Sequence, residues 1–177
     1  FKPVVVALHG FAFGGGLELS LGCNYRIGTP SVKLGLPEVN IGLIPGAGGT
    51  QRLPRLIGAE RAMDMILNSK SVSASEALSL GILDALFEED SFLEDSIFFA
   101  LARAEEGGPY PILSTKKIAI DDYKIFKSAR EKIERRARGL VAPRYCIESI
   151  ENSYLLSFAQ GLAREKELFL RCHESDQ

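Results

Sequence analysis

The period of the apolar positions changes along this chain, and the changes mark out its elements. Residues 4–8, Val-Val-Val-Ala-Leu, form an unbroken apolar run between Pro3 and His9-Gly10. A run this short and β-branched, without polar alternation, predicts a strand covered on both faces of a parallel sheet. A loop is expected after Gly10. Gly14, Gly15 and Gly16 then open Leu17-Glu18-Leu19-Ser20-Leu21, whose good helix formers predict a helix with Glu18 in its first turn. Tyr25-Arg26-Ile27 and Val32-Lys33-Leu34 predict two short strands around the turn Gly28-Thr29-Pro30-Ser31. Glycine and proline are frequent between Pro37 and Gly49, which predicts an ordered loop ending where a helix can begin.

Farther on the period becomes helical. Ala62, Met63, Ile66 and Leu67 sit at helical spacing and predict an amphipathic helix over residues 59–68. Ser73-Ala74-Ser75-Glu76 has the form of a cap leading into Ala77-Leu78 and a stop at Gly81, and residues 82–87 predict one more strand. From Ser91 only helices are expected, with breaks at Gly107-Gly108-Pro109 and at residues 139–143. The chain is therefore expected to divide into residues 1–90, which carry the sheet, and residues 91–177, which pack on it or on a partner. The mixed charges of residues 130–136 predict a solvated helix face.

Composition narrows the picture. A chain of 177 residues with 46% hydrophobic content can bury one sizeable core. Its net charge of -2, from 21 basic and 23 acidic residues, gives no electrostatic reason to expect nucleic acid or a membrane surface, so a small molecule or a protein is the expected partner. The apolar run near the start is too short for a membrane span or a secretory signal core. Cys23, Cys146 and Cys172 have no paired or metal-type spacing, and only His9 and His173 could add imidazole. No metal site is expected, and the cysteines read as free thiols in a reducing, cytoplasmic or matrix-like compartment. The chain opens at Phe1 on a buried-type strand, so it is expected to begin inside a domain.

A strand followed by glycines invites a nucleotide site, but the details do not fit one. Gly10 and Gly15 have the spacing of a phosphate loop, yet Gly16-Leu17 stand where Lys and Ser/Thr are needed. Leu19 occupies the third glycine position of the dinucleotide fingerprint. Ser20 lacks the flanking glycines of a nucleophile elbow, Cys23 has no charged neighbour, and His9 reads as a structural histidine at a strand end. Glu18 differs, because a carboxylate among Leu17, Leu19 and Leu21 is costly to bury without a purpose. It could also merely complement a helix dipole. Glu38, after Pro37 and among Leu36, Val39 and Ile41, could equally be an exposed turn residue. Bare glycine amides with a carboxylate one turn on are nevertheless the outline of an acid–base site.

Two long segments, KPVVVALHGFAFGGGLEL at 2–19 and LPEVNIGLIPGAGGTQRL at 36–53, together closely resemble the signature of the crotonase superfamily, the enoyl-CoA hydratases and isomerases. The similarity continues through SASEALSLGILD at 73–84. RGLVAPRYCIESI at 138–150, EKELF at 165–169 and the terminal SDQ at 175–177 resemble the helical segment that follows the hydratase part of multifunctional fatty-acid β-oxidation enzymes. The resemblance implies an α/β, crotonase-like spiral of strand–strand–helix units, incomplete at its N-terminus, followed by a helical region leading toward a 3-hydroxyacyl-CoA dehydrogenase domain in the parent chain or in other subunits. It implies an acyl-CoA thioester substrate and no cofactor, coenzyme A being part of the substrate. It also implies Glu18 as the base that activates water, Glu38 as the acid for the α-carbon, Gly15 as an oxyanion donor and Gly46 as a water-positioning residue. The implied reaction is hydration of 2-enoyl-CoA, with Δ3-Δ2 isomerisation within reach of the same pair, in the cytoplasm or, in a eukaryote, a peroxisome or mitochondrion. The competing expectation is a non-catalytic fragment or interaction module that docks on a dehydrogenase domain or another subunit.

Overall fold

A computed structural model describes residues 2–118, 122–136 and 139–175. Phe1, Arg138, Asp176 and Gln177, on which parts of the sequence reading drew, lie outside the described residues.

The chain winds by a repeated step of strand, strand, helix. β1 (Val5–Leu8), β2 (Phe11–Phe13) and α1 (Gly15–Leu21) make the first turn. β3 (Tyr25–Gly28), β4 (Lys33–Gly35) and α2 (Gly49–Ile57) make the second, with α3 (Ala59–Leu67) following directly. β3 lies parallel to β1, pairing Val5 with Tyr25 and Leu8 with Gly28, while β4 lies parallel to β2, pairing Phe11 with Lys33 and Phe13 with Gly35. Equivalent strands of successive turns thus stack into two separate three-stranded sheets. β5 (Val72–Ser73) closes one sheet antiparallel to β4, and β6 (Ala85–Leu86) closes the other parallel to β3. Between them, Ser73 accepts the Glu76 N–H and caps α4 (Ala74–Ser79), as the sequence predicts.

Four expectations need correction. The segment after Gly10 is a strand, β2, because the Gly10 carbonyl accepts the Lys33 N–H and the Gly14 N–H donates to Gly35, pairing a stretch too short to show a pattern of its own. Residues 37–49 are not loop throughout, since Glu38–Ile41 wind one turn of 3-10 helix closed by Gly42 at φ 75°. β1 begins at Val5 and is covered only in part, with Ala7 exposed, and residues 82–87 contain only the two-residue β6.

Beyond α4 the described residues contain helices and no strand other than β6: α5 (Phe92–Glu106), α6 (Lys124–Arg136), α7 (Ala142–Leu155) and α8 (Phe158–His173). The last two are not an appendage. Ile147, Ile150 and Leu168 are fully buried in the same apolar cluster as Leu17, Leu34, Leu53 and Ile66, so α2 lies between α1 on one side and α7 and α8 on another. α8 begins with a capping box in which Ser157 accepts the Gln160 N–H and the Gln160 side chain accepts the Ser157 N–H. That placement puts the glycine-rich turn before α2 among three helices.

Candidate active site

The turn at residues 46–50 organises the site. Gly48, at φ 98°, reverses the chain ahead of α2 and leaves the turn's N–H groups without carbonyl partners one turn back. Two buried carboxylates share these donors alternately. Glu18, on α1 and only 4% exposed, accepts the Ala47 N–H at 2.8 Å and the Gly49 N–H at 2.7 Å, both through Oε1. Glu165, on α8 and 1% exposed, accepts the Gly48 N–H at 2.6 Å through Oε1 and the Thr50 N–H at 3.0 Å through Oε2. The Thr50 hydroxyl also donates to Glu165, and Ser149 of α7 meets that hydroxyl at 2.6 Å. Glycine is required where Glu18 approaches: a Cβ on Gly49 would lie 2.7 Å from its Oε1.

Burial raises the Glu18 pKa above the usual carboxylate range, opposed by the N–H groups of Gly49 and Ala47, by the positive charge of Arg52, and by the Gly46 N–H. Four donors or charges therefore favour the anion against desolvation. Arg52 is itself fixed, donating to the Ala47 carbonyl at 2.9 Å and resting over the Phe158 ring.

Glu38 stands in a different environment. It begins the 3-10 turn after Pro37, and its Oε1 lies 3.2 Å from where a Cβ on Gly14 would be. Its Oε2 is buried without a hydrogen-bond partner among the described residues. Burial first, and the nearby Glu18 charge as well, push its pKa up to about 7, against its own backbone N–H. Two carboxylates near one glycine-rich helix start thus both have raised pKa values but differ in their surroundings: Glu18 is braced by amide donors, and Glu38 lacks them at one oxygen.

Gly15 is the first residue of α1, so its N–H has no partner one helical turn earlier, and a Cβ there would meet nothing within 4 Å. Gly46 lies against α8, where a Cβ would fall 2.5 Å from the Phe169 ring. The structure thus brings Glu18, Glu38 and Gly14 together, places Gly46 within electrostatic reach of Glu18, and leaves Gly15 open at the helix start. Sequence reasoning missed Glu165 and Arg52. The signal for Glu165 is its place in the stripe Gly161, Glu165, Leu168, Cys172, a charge on the buried face of a helix. A groove of about 1150 Å³ runs between α3 and α6 beside Val39 and Asn40, and neither Glu18 nor Glu38 lines it. Among the described residues no group of three or more His, Cys, Asp or Glu could hold a metal ion.

Strand–strand–helix turns stacked into two small sheets, with two carboxylates at a glycine-rich helix start, define an α/β spiral. The chain matches the family described as Enoyl-CoA hydratase/isomerase over residues 1–136, and it belongs to that family. It is 43% identical over 178 residues to the peroxisomal bifunctional enzyme of Cavia porcellus, a match covering 99% of this chain and 24% of that protein. It is 42% identical over 179 residues to the peroxisomal fatty acid beta-oxidation multifunctional protein of Arabidopsis thaliana, covering 99% of this chain and 25% of the relative. The chain therefore spans about a quarter of the length of these curated relatives. Among solved structures it resembles the enoyl-CoA hydratase of Bacillus anthracis at 34% identity and a TM-score of 0.54, covering 98% of this chain and 55% of that one. No described helix is long and apolar enough to cross a membrane.

Proposed function

We propose that this chain carries the acid–base centre of an enoyl-CoA hydratase, adding water syn across the double bond of a 2-enoyl-CoA thioester. The observation that carries the reading is the contrast between the carboxylates: Glu18 braced by the Ala47 and Gly49 amides, and Glu38 with a buried, unpartnered oxygen and a pKa near 7. Glu18 takes a proton from water, which the Gly46 segment helps to place, as the water oxygen bonds to the β-carbon. The displaced electron pair moves onto the thioester oxygen, where the Gly15 N–H stabilises the enolate. Glu38, able to hold a proton near neutral pH, then delivers it to the α-carbon. An oxyanion donor of this kind typically contributes about 3–4 kcal/mol to the transition state. The same pair could carry a proton between the α- and γ-carbons, giving Δ3-Δ2 isomerisation, but two retained carboxylates favour hydration.

Coenzyme A enters this scheme as part of the acyl-CoA substrate, and no separate cofactor is needed. In the same reading, residues 1–90 form the C-terminal portion of the crotonase-like core, and residues 91–177 form the helical region leading to a 3-hydroxyacyl-CoA dehydrogenase domain of the parent chain. The names of the Cavia and Arabidopsis relatives support a peroxisomal setting and a role in fatty-acid β-oxidation. The test is hydration of crotonyl-CoA, followed by loss of enoyl-thioester absorbance, with the full-length protein and its Glu38→Gln variant. Turnover of the variant is expected to fall by about 10²–10⁴-fold with little change in KM, as for loss of one positioned acid. Near-wild-type turnover would remove Glu38 from the mechanism.

A further inference from the structure

Glu165 is a buried ionisable group that the mechanism above does not use. It belongs to α8, far along the chain, yet it ends at the turn that holds Glu18. Residues 47–50 present four consecutive N–H groups, and the two carboxylates take them in alternation: Ala47 and Gly49 for Glu18, Gly48 and Thr50 for Glu165. Each carboxylate thus binds peptides that alternate along the turn with those the other binds. We infer that Glu165 is a positioning residue for the hydration centre, fixing the 47–50 turn from behind so that the Ala47 and Gly49 amides hold the Glu18 carboxylate in place for its reaction with water.

This inference rests on the reading of Glu18 as the base. Four further contacts support it. The Thr50 hydroxyl and Ser149 tie Glu165 to α7, and the Gln51 side chain donates to the Ser149 carbonyl at 2.8 Å, so the turn is locked to α7 as well as α8. Gly161, one turn before Glu165, has no space for a side chain, because a Cβ there would lie 2.1 Å from Gln51 Oε1. Phe169, one turn after it, rests against Gly46. Three successive turns of α8 therefore press on the start of α2 and the turn before it. A carboxylate at position 165 suits the task better than an amide, since both its oxygens accept and three donors converge on them.

The test compares Glu165→Gln and Glu165→Ala with wild type and with Glu18→Gln in the full-length protein. It measures kcat and KM for crotonyl-CoA and the hydrogen exchange of the Ala47 and Gly49 amides. The expected result is a kcat lowered by about 10–10²-fold with KM nearly unchanged, the cost of a small misplacement of a reacting group, together with faster exchange at both amides. A purely structural role would lower Tm but leave kcat per folded molecule intact. If Glu165→Ala does not fold, Glu165→Gln, of equal volume, decides. Wild-type kcat in the folded Glu165 variants beside an inactive Glu18→Gln would overturn the inference and leave the hydratase reading standing. An active Glu18→Gln would instead sink the reading of Glu18. The role given to Glu165 would fall with it, whatever the exchange rates at Ala47 and Gly49.

Discussion

Gly14 and Gly15 are neighbours with opposite requirements. Gly14 has φ 55° and ψ −128°, a conformation that L side chains rarely adopt, and a Cβ there would press on Glu38 Oε1 at 3.2 Å. Gly14→Ala is therefore expected to lower stability by about 1–2 kcal/mol from backbone strain and to displace Glu38, visible as a lower Tm together with lower turnover. Gly15 has open space around it, so Gly15→Ala should fold normally and affect only a bound ligand. Gly15→Pro deletes the N–H and should lower turnover by at least about 10²-fold in protein that still melts cooperatively. A folded, active Gly15→Pro enzyme would mean that other groups hold the oxyanion. Glu18 was legible in the sequence because a charge among leucines after glycines stands out. Glu38 was legible only through its resemblance to a known segment. Glu165 was hidden in the charged run Arg164-Glu165-Lys166-Glu167, where helix phase alone decides that Glu165 points inward while the exposed Glu167 pairs with Arg164 and Arg171.

The elements divide in the same way. β1, α1, α3 and α4 were readable because each carries its own signal: an apolar run, a glycine start, a helical stripe or a cap. β2 was not, since Phe11 and Phe13 are exposed and its three residues become a strand only by pairing with β4, about twenty residues later. The end of α2 was obscured by Pro54, which helices usually exclude from their interior. The contact of α8 with the turn before α2 is equally nonlocal, and it can be tested directly. Gly46→Ala would bring a Cβ within 2.5 Å of Phe169 and force the helix away. The expected outcome is reduced Tm and turnover, with partial recovery when Phe169→Leu is added to make room. A double-mutant cycle on Tm should show a coupling of about 0.5–3 kcal/mol. Additive effects would mean that α8 does not press on the turn at this point.

Across the whole molecule, the buried Glu18 and Glu165 and the half-buried Glu38 tie stability to pH. The Glu38 and Glu165 pKa values are raised to about 7 and the Glu18 pKa is also raised, against an unfolded value of 4.5. Between those values the folded state holds more protons than the unfolded state. These groups therefore favour folding fully below about pH 4.5, and the favour is lost as pH rises toward 7. Glu38→Gln removes one such group without removing a partner from its Oε2. Its stability relative to wild type is expected to improve from pH 5 to pH 8, on the order of 1–2 kcal/mol after allowing for the water that reaches the side chain. Thermal melts at the two pH values measure it, and a pH-independent difference would contradict the raised pKa.

The alternation of Glu18 and Glu165 along one turn also sets an order in time. The Gly48–Glu165 contact closes a separation of 117 residues. A ribosome adding about 5–20 residues per second takes roughly 6–23 s to cover that distance. Once residue 86 has been added, both sheets and the Glu18 and Glu38 segments have been synthesised, while two amides of the 47–50 turn still lack the carboxylate that will hold them. A nascent chain paused ahead of α8 thus carries every residue of the family match at 1–136 with its turn only half secured. Translation through residue 165 is the event that completes it.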